Sequence, residues 1–153
     1  MSPALDFRLR KPTTVIDTIV FHATVEPTLK SSLSILKERG FSYHYLIDKD
    51  GTAVQCVAPT NVAFHAGKSI GPQGEGVNEY SIGISLVNLN NGIDPFTKAQ
   101  IEQAIFVTTR LKARFPHIKF VTTHASISPG RKSDPDGFPI TEVAEASGLS
   151  VWL

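Results

Sequence analysis

The chain has 153 residues, about one average domain. Apolar residues make up 41% and charged residues 19%, with a net charge of +1, which excludes a disordered chain and an extended nucleic-acid footprint. The single cysteine, Cys56, excludes an intramolecular disulfide and any multi-cysteine zinc cluster. The N-terminal stretch MSPALDFRLRK lacks the apolar core of a signal peptide, and no segment approaches the roughly 20 apolar residues of a membrane span. These features predict one domain over residues 1–153, with 1–14 as an N-terminal extension, made in the cytoplasm as a monomer.

Residues 15–21 (VIDTIVF) are β-branched and apolar, the pattern of a buried strand, and His22 follows directly. Residues 28–39 carry Leu29, Leu33, Ile35 and Leu36 at helical spacing, with Gly40 as a natural stop. Two alternating runs then flank Asp50-Gly51, which signals a β-hairpin. Residues 61–78 are glycine-rich with little periodicity and read as a long surface loop, a feature that is usually functional in a compact domain. Residues 80–88 read as another buried strand.

Thr97 and Gln100 fit a capping box, and Ile101, Ala104, Ile105, Thr108 and Leu111 place one apolar face on the helix that follows. Residues 119–124 form a further strand, again ending in a histidine, His124. A polar loop runs to Pro139, and residues 141–147 form a last short helix stopped by Gly148. Strands alternating with helices predict an α/β domain with one central sheet, mixed because of the hairpin, and helices packed on it.

Three groups stand out: His22, His124 and Asp134. Both histidines follow apolar strands, and strand ends are where functional groups collect in α/β domains. Asp134 lies in a polar loop able to fold back toward His124. Two imidazoles and one carboxylate form a catalytic zinc shell with an open fourth position. Spacing alone leaves the alternative open, with both histidines as ordinary strand-end polar residues and Asp134 as a turn residue before Pro135.

The ordered segments IVFHAT, SYHYLIDKDGT, FHAG, NEYSIGISLVN and HASISPGRKSDP resemble the amidase-2 family over residues 15–136. That family includes phage lysozyme-like amidases, bacterial muropeptide amidases and animal peptidoglycan-recognition proteins. The resemblance implies a mixed sheet flanked by helices, and a zinc N-acetylmuramoyl-L-alanine amidase. It places Zn2+ on His22, His124 and Asp134. It gives Tyr43 the role of assisting the attacking water or the developing charge, and Lys132 that of stabilising an oxyanion.

By the same resemblance His65, in FHAG, contacts substrate, and Asn78 binds substrate or supports the groove, with a turn-forming role as its alternative. His44 faces away from Tyr43 in a regular strand and reads as structural. His117 reads as a surface residue and Cys56 as a small core residue.

Two departures bear on the branch. The recycling branch carries a glutamate base where this chain has Ser85, yet it shares an aspartate with Asp134, where phage and recognition-protein relatives often have cysteine. The mixture, with Tyr43, points to a phage-type endolysin that acts on the wall after release by a holin. The alternatives are a cytosolic amidase recycling soluble anhydro-muropeptides, or a peptidoglycan-binding module that does not cut. Three competent ligand types argue against the last. The expected partner is peptidoglycan or a muropeptide, with no nucleic acid and no membrane span.

Overall fold

A computed structural model of the chain describes residues 4–153. Its centre is a six-stranded sheet. In chain order its strands are β2 (Thr18–Ala23), β3 (Tyr45–Ile47), β4 (Ala53–Gln55), β8 (Ser81–Leu86), β9 (Phe120–Thr123) and β10 (Ser150–Val151). They lie in the order β10-β9-β2-β8-β3-β4. The pairs from β10 to β3 are parallel, and only β3–β4 is antiparallel, closed by the hairpin at Asp50-Gly51. The sheet is therefore mixed, as the hairpin predicts.

Period-2 alternation decides which face each side chain serves. In β2, Ile19 and Phe21 join Ile82, Ile84 and Leu86 of β8 in the main core. That core is capped by Ala104, Val107 and Leu111 of α2 (Lys98–Arg114) and by Val143 and Ala144 of α4 (Ile140–Ser147). The register β2–β8 aligns Thr18, Val20 and His22 with Ser81, Gly83 and Ser85 on the other face. Val20 packs there with Ala66, Val77, Tyr80 and Ile127 in a smaller cluster, while around His22 that face is small and polar and can hold a site. Its neighbour α1 (Leu29–Arg39) packs Leu36 onto Leu46 and Ala63.

The helix termini follow their sequence signals. Thr97 and Gln100 form the capping box that opens α2, and Gly40 ends α1 in the left-handed conformation at φ 71°. Thr28 also caps α1, with Ser31 completing a second box.

The structure departs from expectation at four places. The strand expected at 15–21 runs later, so His22 lies inside β2 and not beyond it. His124 opens a one-turn helix, α3 (His124–Ile127), whose cap is Thr123. The loop 61–78 contains β5 (Asn61–Ala63), a small hairpin of β6 (Ile70–Gly71) and β7 (Gly74–Glu75), and the start of a 3-10 helix (Val77–Tyr80). Within the N-terminal extension, β1 (Phe7–Leu9) pairs antiparallel with β5. Short strands of two or three residues carry too little alternation to be read in sequence. The pairings at both chain ends depend on partners about 30 to 55 residues away.

Arg10, just after β1, ties this arm down. Its guanidinium donates to the carbonyls of Pro59, Asn78, Glu79 and Ser81 at 2.8 to 3.3 Å. Cys56 is a free, buried thiol, and His117 is exposed. No helix among the described residues is long and apolar enough to cross a membrane.

Candidate metal centre and substrate cleft

Strands β2 and β9 are parallel neighbours, and both end on the same side of the sheet. His22 sits one residue from the end of β2, and His124 directly follows β9. Ligand sites outside the carboxyl ends of strands are the general rule in open α/β sheets. The polar loop after α3 folds back as Ala125 donates its amide to the Asp134 carbonyl at 2.9 Å. The Ala23 amide donates to Asp134 Oδ2 at 3.2 Å, which fixes the carboxylate beside the imidazoles.

The three side chains converge. The Nδ1 atoms of His22 and His124 are 3.1 Å apart. Asp134 Oδ1 is 3.1 Å from His124 Nδ1, and Oδ2 is 3.5 Å from His22 Nδ1. All three residues are buried, and their candidate ligand atoms lie within 4.8 Å of one another. Donors held at ~2.0–2.1 Å around a tetrahedral ion sit about 3.3 Å from each other, so these spacings suit zinc. The far nitrogen of His124, Nε2, lies 3.0 Å from the Ala66 carbonyl, which can only accept. Its Nδ1 therefore presents a lone pair to the centre.

The electrostatics agree with a cation site. Burial, and then the neighbouring His124, push His22 down to about 4. Burial alone would raise the Asp134 carboxyl, but its place against the two imidazoles, which bond and attract it whenever Nδ1 carries a proton, holds it well below the carboxylate range. Neutral imidazoles and an ionised carboxylate are the protonation states that bind a metal.

Beside the centre lies a cleft of about 180 Å³, lined by Tyr43, His65, Asn78, His124, Arg131 and Lys132, with an apolar wall of Leu36, Phe41 and Phe64. Tyr43 packs its ring on His22 with centroids 4.8 Å apart. Burial, and then the Asp134 charge, raise its phenol, so it stays protonated at neutral pH. Lys132 is exposed at the cleft, near enough for its charge to depress His22.

Ser85 is fully buried next to His22 in the β2–β8 register, and its hydroxyl faces the Tyr43 phenol. His65 is buried, with Nδ1 2.9 Å from His22 Nε2 and Nε2 3.1 Å from Ser81 Oγ. Asn78 Oδ1 accepts the amides of His65 and Ala66 at 3.1 and 2.8 Å. The structure thus brings all seven candidate residues together. Sequence reasoning missed Ser81, Gly83 and Arg131, whose only signal is their place in the SIGIS and GRKSDP segments.

His44 is structural, as its place beside Tyr43 suggests. Its Nδ1 accepts the Gly83 amide at 2.9 Å and its Nε2 donates to the Asn61 carbonyl at 2.8 Å. Burial pushes it down to about 3. A histidine depressed in the folded state contributes stability above its unfolded value of about 6.5, and that contribution is lost as pH falls toward the folded value. Urea unfolding of the metal-free protein should therefore show roughly 2 kcal/mol less stability at pH 5 than at pH 7 from His44 alone. Equal stability at the two pH values would contradict this burial of a neutral imidazole.

The fold and the donor set define a class: a small α/β protein with two histidines and an aspartate at the strand ends, facing a cleft. A family profile described as N-acetylmuramoyl-L-alanine amidase matches residues 12–137, and the chain belongs to that family. It is 36% identical over 117 residues to the 1,6-anhydro-N-acetylmuramyl-L-alanine amidase AmpD of Enterobacter cloacae, covering 76% of this chain and 62% of that protein. Its fold matches a crystal structure of a selenomethionine AmpD derivative with a TM-score of 0.79 at 27% identity, covering 94% of this chain and 91% of that one. It also matches the amidase AmiD of E. coli in complex with anhydro-N-acetylmuramic acid-L-Ala-D-gamma-Glu-L-Lys. There the TM-score is 0.80 at 32% identity, covering 94% of this chain and 62% of that one. The chain thus spans a little under two thirds of the curated relative's length.

Proposed function

We propose that this chain is a zinc-dependent amidase that hydrolyses the bond between N-acetylmuramic acid and L-alanine, and that its substrate is a soluble 1,6-anhydro-muropeptide. The observation that carries the activity is the convergence of His22, His124 and Asp134 at 3.1 to 3.5 Å beside an open cleft. The substrate class rests on the relatives, since AmpD acts on 1,6-anhydro-N-acetylmuramyl-L-alanine and AmiD holds an anhydro-muropeptide. These relatives favour the recycling-type substrate over the expected phage endolysin and lend no support to release by a holin.

His22, His124 and Asp134 would hold zinc, which supplies an acidified water and polarises the scissile carbonyl. The chain's own residues do the rest. Lys132, at the cleft, supplies positive charge to the oxygen that becomes anionic as the carbonyl is attacked. Tyr43, with its raised phenol, donates a hydrogen bond to the water or the developing oxyanion and is a poor proton acceptor. Phe41 and Phe64 give the cleft an apolar wall.

A second reading, cleavage of intact wall peptidoglycan, is favoured by one observation. Ser85 offers a hydroxyl where the recycling branch carries a carboxylate base, so this chain lacks that feature of the soluble-substrate enzymes.

Mass spectrometry of reactions with anhydro-muropeptide and with purified sacculi, after chelation and after zinc is restored, tests both readings. Release of peptides beginning in L-alanine from the soluble substrate, lost on chelation and regained with zinc, is the expected result. Release from sacculi alone would favour the wall enzyme. No release from either by a folded, zinc-loaded protein would end the amidase reading.

A further inference from the structure

The two imidazoles of the metal centre are held from behind by consecutive residues of one turn. His124 Nε2 donates to the carbonyl of Ala66 at 3.0 Å. His22 Nε2 lies 2.9 Å from the ring of His65, whose other nitrogen reaches Ser81 Oγ at 3.1 Å. With His22 Nδ1 presenting a lone pair to the centre, the hydrogens run one way. His22 Nε2–H donates to His65 Nδ1, and His65 Nε2–H donates to Ser81. Both nitrogens of the His65 ring are then used, and the residue is only 7% exposed.

The turn itself hangs from a single atom. Asn78 Oδ1 accepts both the His65 and the Ala66 amides. Arg131 braces the other side by donating to the same Ala66 carbonyl at 2.7 Å. The sheet beneath makes room for the ring, because a Cβ on Gly83 would stand 2.6 to 2.8 Å from three atoms of the His65 imidazole.

We propose that the His65–Ala66 turn, suspended from Asn78, is a positioning device that orients both zinc-ligand imidazoles and fixes which nitrogen each offers the metal. This rests on the zinc reading above and deepens it. It makes His65 and Asn78 positioning residues, not substrate contacts. Partners that hold a ligand histidine by its far nitrogen typically contribute 10–100-fold to metal affinity.

The test is zinc affinity of the purified chain, by competition with a chromophoric chelator, alongside circular dichroism and steady-state kinetics on anhydro-muropeptide. His65→Leu and Asn78→Leu are expected to weaken zinc binding roughly 10–100-fold with native dichroism. His65→Asn keeps an acceptor near the Nδ1 position and Asn78→Asp keeps the oxygen, so both should recover affinity to within a few-fold of wild type. Should the leucine variants not fold, Ser81→Ala removes only the end of the chain and is still expected to weaken zinc several-fold.

Leucine variants that bind zinc as wild type does would overturn the proposal, as would unchanged affinity in Ser81→Ala if only that variant folds. So would His65→Asn and Asn78→Asp proteins that fold but bind as poorly as the leucine forms, or a raised KM at unchanged zinc affinity. A wild-type chain that binds no zinc would instead sink the metal reading on which this one stands.

Discussion

Asp134→Ala is expected to weaken zinc binding by more than about 10³-fold, beyond the 10–100-fold typical of losing an outer partner, and to abolish hydrolysis. Asp134 is the centre's only carboxylate among the described residues, and it faces both imidazoles from 3.1 and 3.5 Å. It is also held by the Ala23 amide, so its removal takes away a ligand and the negative charge that attracts the cation. The substitution removes a buried ionised group whose carboxyl is depressed by its neighbours, so the metal-free protein should lose stability as well. Lys132→Ala is the contrast. Lys132 is exposed and donates no side-chain hydrogen bond to a described residue, so zinc affinity should hold while kcat falls by ~10²–10³. Zinc titration and steady-state kinetics on the two variants separate holding the metal from stabilising the reaction. Equal kcat in Lys132→Ala and wild type would remove Lys132 from the chemistry.

Arg10→Ala is expected to cost about 3 kcal/mol of stability, because one guanidinium serves four carbonyls from two separate segments. Burial, and then the charge of Arg8, push Arg10 down to about 10, so it remains charged at neutral pH. Its loss leaves partly buried carbonyls unpaired and unpins the N-terminal arm. At roughly 2–4 °C per kcal/mol for a chain of this size, the melting temperature should fall by roughly 6–12 °C. Calorimetry measures this directly. Because Arg10 holds the carbonyls of Asn78 and Ser81, zinc affinity should fall modestly in the same variant. A change of less than about 0.5 kcal/mol, the range of ordinary surface substitutions, would show that the arm is not held through this residue.

The long-period features were legible in the sequence. The helices Leu29–Arg39 and Lys98–Arg114 carry both periodicity and caps, and each needs only its own and its flanking residues to be read. The Asp50-Gly51 hairpin is equally local. The candidate donor set was legible because ligand types are few: His22, His124 and Asp134 are the kinds of residue zinc takes, and the segment resemblance ordered them. What could not be read was distance. His22 and His124 meet because β2 and β9 pair in parallel across 102 residues of chain. Asp134 arrives only because its loop is bonded back to Ala125 and Ala23.

His65 shows the same division. Its segment marked it as functional, but the role depends on what its ring touches. The glycine at 83 that admits the ring lies 18 residues further along the chain, and Arg10, which steadies the strand beneath, carries no local signal at all. Sequence by itself determined the elements and the inventory of reactive groups, since propensity, alternation and capping act over a few residues. Tertiary structure alone decided which nitrogen faces the centre and what holds it there, since those depend on hydrogen bonds between residues far apart in the chain.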